Sequence, residues 1–194
     1  MRSSIITLSA ILAVLVAAGA AQATIPGGIG DASLTPSTGA GEIKGSGPDY
    51  VVVYKDFNSS LPNTLGPVDI NVTVGSAGDY WIREESYSSL DGLIHNSSGQ
   101  AWTGFRFELI PAEGFNFVAG SPWNDVFSTV NRTDTLITLS GGSVPNGDNL
   151  QAHFQVHADD AGTFTIREMA LPEPATLSLL ALGGLALLRR RIRR

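Results

Sequence analysis

Val68-Asp69-Ile70-Asn71-Val72-Thr73-Val74 decides the fold class. Apolar, β-branched residues alternate with polar ones, so an extended chain puts one row inward and one outward. The same period of two recurs along the chain. Phe105, Phe107 and Leu109 interleave with Arg106 and Glu108. Leu150, Ala152, Phe154 and Val156 interleave with Gln151, His153, Gln155 and His157. Phe164 and Ile166, with Glu168 in phase, interleave with Thr163, Thr165 and Arg167. Shorter strand candidates lie at 50–56, 80–87, 92–95, 115–118 and 136–139.

Turn signals separate these runs: Ala77-Gly78-Asp79, Ser98-Gly99-Gln100, Gly141-Gly142, Pro145-Asn146-Gly147-Asp148 and Asp159-Asp160-Ala161-Gly162. No stretch of the body carries the i, i+3, i+4, i+7 spacing of an amphipathic helix. Many short strands with one apolar face each must bury those faces against one another. The expectation is an all-β body, an antiparallel two-sheet β-sandwich of jelly-roll or Ig-like type, with a closed barrel as the other solution. No internal repeat points to a propeller or solenoid.

Outward from the strands, composition narrows the function. The 194-residue chain has no cysteine, which excludes a disulfide scaffold, a thiol nucleophile and a thiolate-held metal. Of 12 basic residues, Arg2 and five closing arginines sit at the ends. The interior therefore has 6 basic residues against 17 acidic ones, a charge of about −11 that argues against phosphate neutralisation and nucleic-acid binding. Residues 24–48 are rich in Gly, Ser, Thr and Pro and read as an extended lead with one edge strand near 40–44.

Both ends read as addresses. Arg2, an apolar run over 5–18 and small residues at Ala21 and Ala23 mark a secretory signal peptide, cleaved after Ala23 by signal peptidase. At the other end, Pro172-Glu173-Pro174 precedes an uncharged stretch over 175–188, and then Arg189, Arg190, Arg191, Arg193 and Arg194 around Ile192. As a helix those 14 residues reach roughly 21 Å, short of a roughly 30 Å hydrocarbon core unless the arginines snorkel. The arginines belong on the cytoplasmic side, which puts the body outside the inner membrane.

The three-part tail strongly resembles the PEP-CTERM sorting signal of Gram-negative bacteria. That resemblance covers roughly the last 24 residues, and it implies recognition by an exosortase, a membrane-embedded cysteine transpeptidase. It also implies delivery to the cell surface or beyond, in organisms that make exopolysaccharide and biofilm. A softer resemblance lies in the body. His95-Asn96-Ser97-Ser98-Gly99-Gln100-Ala101-Trp102-Thr103-Gly104-Phe105-Arg106-Phe107-Glu108-Leu109 is similar to a strand–turn–strand element of some PEP-CTERM β-sandwich proteins. There an Asn- and Gly-bearing turn precedes a Trp-Thr and an aromatic-alternating strand. Here the turn is expected to reverse the chain, with Trp102 covering the end of the core and Phe105 and Phe107 filling it.

Catalytic signatures are missing from the sequence. No Gly-x-Ser-x-Gly, His-Glu-x-x-His, Walker A or GxGxxG motif is present. His153 and His157 share a strand face but lie about 13 Å apart at 3.3 Å per residue, too far for one metal. Glu84 and Glu85 point to opposite faces and make a poor acid–base pair. Asp148, Asp159 and Asp160 read as turn residues, with weak calcium binding as the sharper alternative. Four Asn-x-Ser/Thr sequons, at Asn58, Asn71, Asn96 and Asn131, reflect a Ser/Thr/Asn-rich surface. Trp81, Trp102 and Trp123 are too scattered in sequence to argue a sugar-stacking platform.

The organisation expected is a signal peptide over 1–23, a lead over 24–48, a β-sandwich domain over 49–170 and a sorting segment over 171–194. The expected function is an exported, exosortase-sorted envelope or matrix protein, anchored in the inner membrane until processed, with a non-catalytic body and no cofactor. A carbohydrate-binding module contacting exopolysaccharide is the alternative, and a secreted hydrolase a third.

Overall fold

The computed structural model describes residues 28–35, 41–58, 67–110 and 113–172. In chain order the strands are β1 (Ile29–Thr35), β2 (Gly41–Ser46), β3 (Tyr50–Asn58), β4 (Val68–Val74), β5 (Gly78–Glu84), β6 (Ser86–Tyr87), β7 (Leu90–Asp91) and β8 (Leu93–Ser97). They continue as β9 (Trp102–Ile110), β10 (Phe115–Phe117), β11 (Trp123–Asn124), β12 (Thr129–Arg132), β13 (Leu136–Val144), β14 (Asn149–Leu150), β15 (Ala152–Ala158) and β16 (Gly162–Pro172). Among the described residues there is no helix. Residues 1–23, expected to form a signal peptide, and the apolar stretch 175–188 lie outside the described residues.

Two large sheets share one core in a sandwich-like arrangement. The first runs β1-β4-β16-β9-β13-β12, antiparallel at every pairing. The second runs β10-β15-β5-β3-β8-β14, with β11 added on β15 and β2 on β3. Rings from β9 meet rings from the opposite sheet: Phe107 lies 4.8 Å from Phe154, and Trp102 lies 5.2 Å from Phe57. The alternation read from sequence holds. Val68, Ile70, Val72 and Val74 are buried, as are Phe105, Phe107 and Leu109, while their neighbours face out.

The second sheet corrects the antiparallel expectation. β3 pairs parallel with both β5 and β8. After β3 the chain crosses to the first sheet, forms β4 and returns as β5, the kind of crossover that parallel neighbours require. The lead is also more structured than one edge strand: residues 24–48 hold β1, which pairs with β4, and β2, which pairs with β3. The strand candidate over 80–87 is divided. β5 ends at Glu84, and β6 and β7 form a small hairpin whose central Ser88 and Ser89 have φ of 48° and 66°. Gly92 then brings the chain back against β3, where a Cβ would stand 2.7 Å from both Val52 and the Glu85 carbonyl.

The element around residues 95–109 joins the two sheets rather than forming a hairpin in one. Asn96, on β8 and fully buried, organises the turn. Its Nδ2 donates to the carbonyls of Gln100 and Val144, both at 2.9 Å, and of Pro145 at 3.1 Å. Its Oδ1 accepts from the Ser98 amide at 3.1 Å and hydroxyl at 2.7 Å, and Trp102 Nε1 donates to the same hydroxyl at 3.1 Å. Trp102 is thereby fixed over the core end with no exposure. Burial also closes the Asn96 sequon to modification in the folded chain. Asn96→Ala should lower unfolding free energy by about 2–3 kcal/mol, because several buried groups lose their partner at once. Urea unfolding of the variant checks this, and a change within experimental error would contradict it.

Candidate functional site

The outward face of the second sheet gathers residues that are distant in sequence. Antiparallel register sets His153 opposite Arg83, Gln155 opposite Trp81 and His157 opposite Asp79 on β15 and β5. β11 then sets Trp123 opposite His153. Three strands so place Trp123, His153 and Arg83 in one row.

Segment 121–127 is clamped to β15 by specific bonds. The Ser121 hydroxyl accepts the Gln155 amide at 2.9 Å, and Asp125 Oδ1 accepts the Gln151 amide at 2.9 Å. Buried Phe127 anchors its end in the core. The Trp123 ring stacks on the His153 imidazole at 5.1 Å and 19°, and Trp81 meets the same imidazole edge-on at 5.3 Å. The Arg83 guanidinium lies 4.6 Å over Trp81 and 3.9 Å over Tyr87, whose ring meets Tyr50 edge-on at 5.0 Å. Glu85 ties the row together, accepting from Arg83 at 2.7 Å and lying 2.9 Å from His153 Nδ1. The result is a shelf of rings and one cation in which Trp81 stands edge-on, not coplanar, to the stacked Trp123–His153 pair. Trp123, 44% exposed, is its open end. Its exposed Trp123 offers a π face to the C–H face of a ligand, with Gln155 on the neighbouring strand as a polar partner.

A second cluster lies inside. Lys55 on β3, Glu84 on β5 and Glu168 on β16 are each 0% exposed, and the Lys55 ammonium contacts a carboxylate oxygen of both glutamates. Glu84 comes from the same sheet as Lys55 and Glu168 from the facing one. Glu84 Oε2 and Glu168 Oε1 are buried and have no hydrogen-bond partner among the described residues. Burial pushes the Lys55 amine down to about 8 against the opposing pull of Glu84, and burial pushes the Glu84 carboxyl up against the pull of Lys55. Between pH 8 and 10.5 the unfolded chain keeps a lysine proton that the folded triad has released. While Lys55 is a free amine, the triad's contribution to stability therefore rises with pH across that window.

The residues picked out from sequence are placed as follows. Trp102 is core, Trp81 is half-buried and Trp123 is exposed, so the tryptophans do not act as one set, yet two of them flank one histidine. His153 and His157 face out on β15 and each pairs with a carboxylate, His157 with Asp79 at 2.6 Å. His95 Nδ1 lies 2.6 Å from Asn149 Oδ1. Asp148 and Asp159 serve turns, their amides bonding Pro145 and Gly114. No group of three or more His, Cys, Asp or Glu residues able to hold a metal occurs among the described residues. Pro172 is the last residue of β16, whereas Glu173, Pro174, the arginines 189–194, Ala21 and Ala23 lie outside the described residues. Sequence reasoning missed Lys55 altogether, although it shares the inward register of Val51, Val53 and Phe57.

Fold and shelf define an all-β protein with an aromatic outer face and an ionic core. No protein-family model, curated protein or solved structure matches the chain.

Proposed function

We propose that this chain is an exported exosortase substrate whose non-catalytic β-sandwich body serves in the cell envelope or extracellular matrix. The three-part tail carries the reading: Pro172-Glu173-Pro174, the apolar stretch 175–188 and the closing arginines. Its junction with the body supports it. β16 is paired on both sides, by β4 and β9, and ends at Pro172, the first residue of the motif. A cut just beyond that point removes no strand of the body, so processing and folding are independent. In an exosortase-bearing host, the protein recovered outside the inner membrane should begin at Thr24 and lack Arg189 to Arg194. Intact-mass analysis reads both ends at once. A surface form that retains Arg194 contradicts the proposal.

The shelf favours carbohydrate binding as the body's role within that setting, because Trp123 stands exposed while stacked on His153 beside Trp81. Trp123→Ala should weaken retention in native gels containing host exopolysaccharide by about tenfold in affinity, roughly the loss of one stacking contact worth 1.4 kcal/mol. The fold should be untouched, since the ring packs outside the core. Equal mobility of native and variant protein would leave the body as scaffold alone.

A further inference from the structure

We infer that Lys55 becomes covalently joined to one of its two glutamate partners, Glu84 or Glu168, by an intramolecular amide bond that forms once the chain has folded. Three observations carry this. A primary amine and two carboxyl groups meet in direct contact, all three fully buried. Apolar strand residues flank each in its inward row: Val53 and Phe57 beside Lys55, Ile82 before Glu84, Ile166 and Ala170 beside Glu168. Each carboxyl also keeps one oxygen without a hydrogen-bond donor among the described residues, so the triad is not a closed ionic network.

In water an amine and a carboxylic acid ionise each other and do not condense. Burial weakens that preference. It disfavours the ammonium of Lys55 and the carboxylate of Glu84, which favours the uncharged amine and acid that react. Fixed contact adds proximity, since intramolecular groups that align for attack reach effective concentrations on the order of 10⁵ M.

The step balances. One carboxylate takes a proton from the Lys55 ammonium, and the free amine attacks the carboxyl carbon of the other glutamate, which is in its acid form. The C–N bond forms, the C–OH bond breaks, and the hydroxyl leaves as water with one of the two remaining amine protons. The products are a neutral amide, one water and the carboxylic acid of the glutamate that served as base. No oxidant, metal or second protein is consumed. Three buried ionisable groups become two uncharged ones, which relieves the desolvation of the triad.

The link suits a chain with no cysteine. Joined to Glu84 it ties two neighbouring strands of one sheet, and joined to Glu168 it staples the two sheets together. Either closes a loop in the unfolded chain, the restraint a disulfide provides elsewhere.

Peptide mapping of the full-length native protein tests the inference directly, with no variant needed. Both glutamates follow an arginine, so each begins its own tryptic peptide. A linked chain yields the peptide from Gly45 to Arg83, uncut at Lys55, joined to the peptide starting at Glu84 or to the one starting at Glu168, and lighter by one water. Either linkage supports the inference and names the acceptor. Cleavage after Lys55, with the peptides starting at Glu84 and Glu168 both free and of full mass, overturns it. Lys55→Met provides the control and should show no linked species.

Discussion

Replacing Lys55 with methionine should lower the unfolding free energy by about 3–5 kcal/mol, the cost of stranding buried charge without its partner. Lys55 stands alone between Glu84 and Glu168 in the core, and its loss leaves two carboxyl groups facing each other with no cation. Against a typical domain stability of about 5–15 kcal/mol, that brings the body close to unfolding at growth temperature. The companion variant replaces all three side chains with apolar ones of similar volume (Lys55→Met, Glu84→Met, Glu168→Met). It should recover much of the loss, because desolvation no longer opposes folding. What it fails to recover measures the covalent restraint, which the single and triple variants lack alike. Urea unfolding of native, single and triple chains gives the comparison. A single variant within about 1 kcal/mol of native contradicts the account of the triad as a tightly coupled unit.

The triad also shows how far the sequence could be read. Lys55 shares parity with Val51, Val53 and Phe57, Glu84 with Tyr80 and Ile82, and Glu168 with Phe164 and Ile166. Each charge therefore sits in an inward row, and one basic residue against two acidic ones already suggests a buried cluster. The partner strands were not legible, because alternation is identical for parallel and antiparallel neighbours and says nothing of which sheet a strand joins. The parallel pairings of β3 with β5 and β8 are of that kind. β1 was hidden for another reason: Gly30 and Asp31 fall at a register shift, which breaks the period where Ile29 enters the core. The shelf was least legible of all. β11 has two residues and no periodicity, and Trp123 reaches His153 because β11 pairs with β15 while Ser121 and Asp125 accept the Gln155 and Gln151 amides.

The second large effect concerns the tail and separates sorting from anchoring. Replacing Pro172-Glu173-Pro174 with three alanines keeps apolar length and flanking arginines unchanged, so an ordinary anchor should behave as before. A sorting signal depends on an extended segment that an enzyme can hold as a strand. Proline enforces that conformation, whereas alanine is the best helix former and lets a helix starting in 175–188 run upstream. It cannot run far into the body, because β16 is held on both sides by β4 and β9. The disturbance therefore falls on the motif, and the body folds as in the native chain. In a host with active exosortase the alanine variant should accumulate full-length in the inner membrane, while the native chain loses its arginine-rich end. Deleting Arg189 to Arg194 should instead weaken retention and orientation, since those charges resist translocation. Mass spectrometry of the C-terminus decides between the two readings. If native and alanine chains both keep Arg194, the tail is only an anchor and the exosortase assignment falls, whatever the shelf and the triad prove to do.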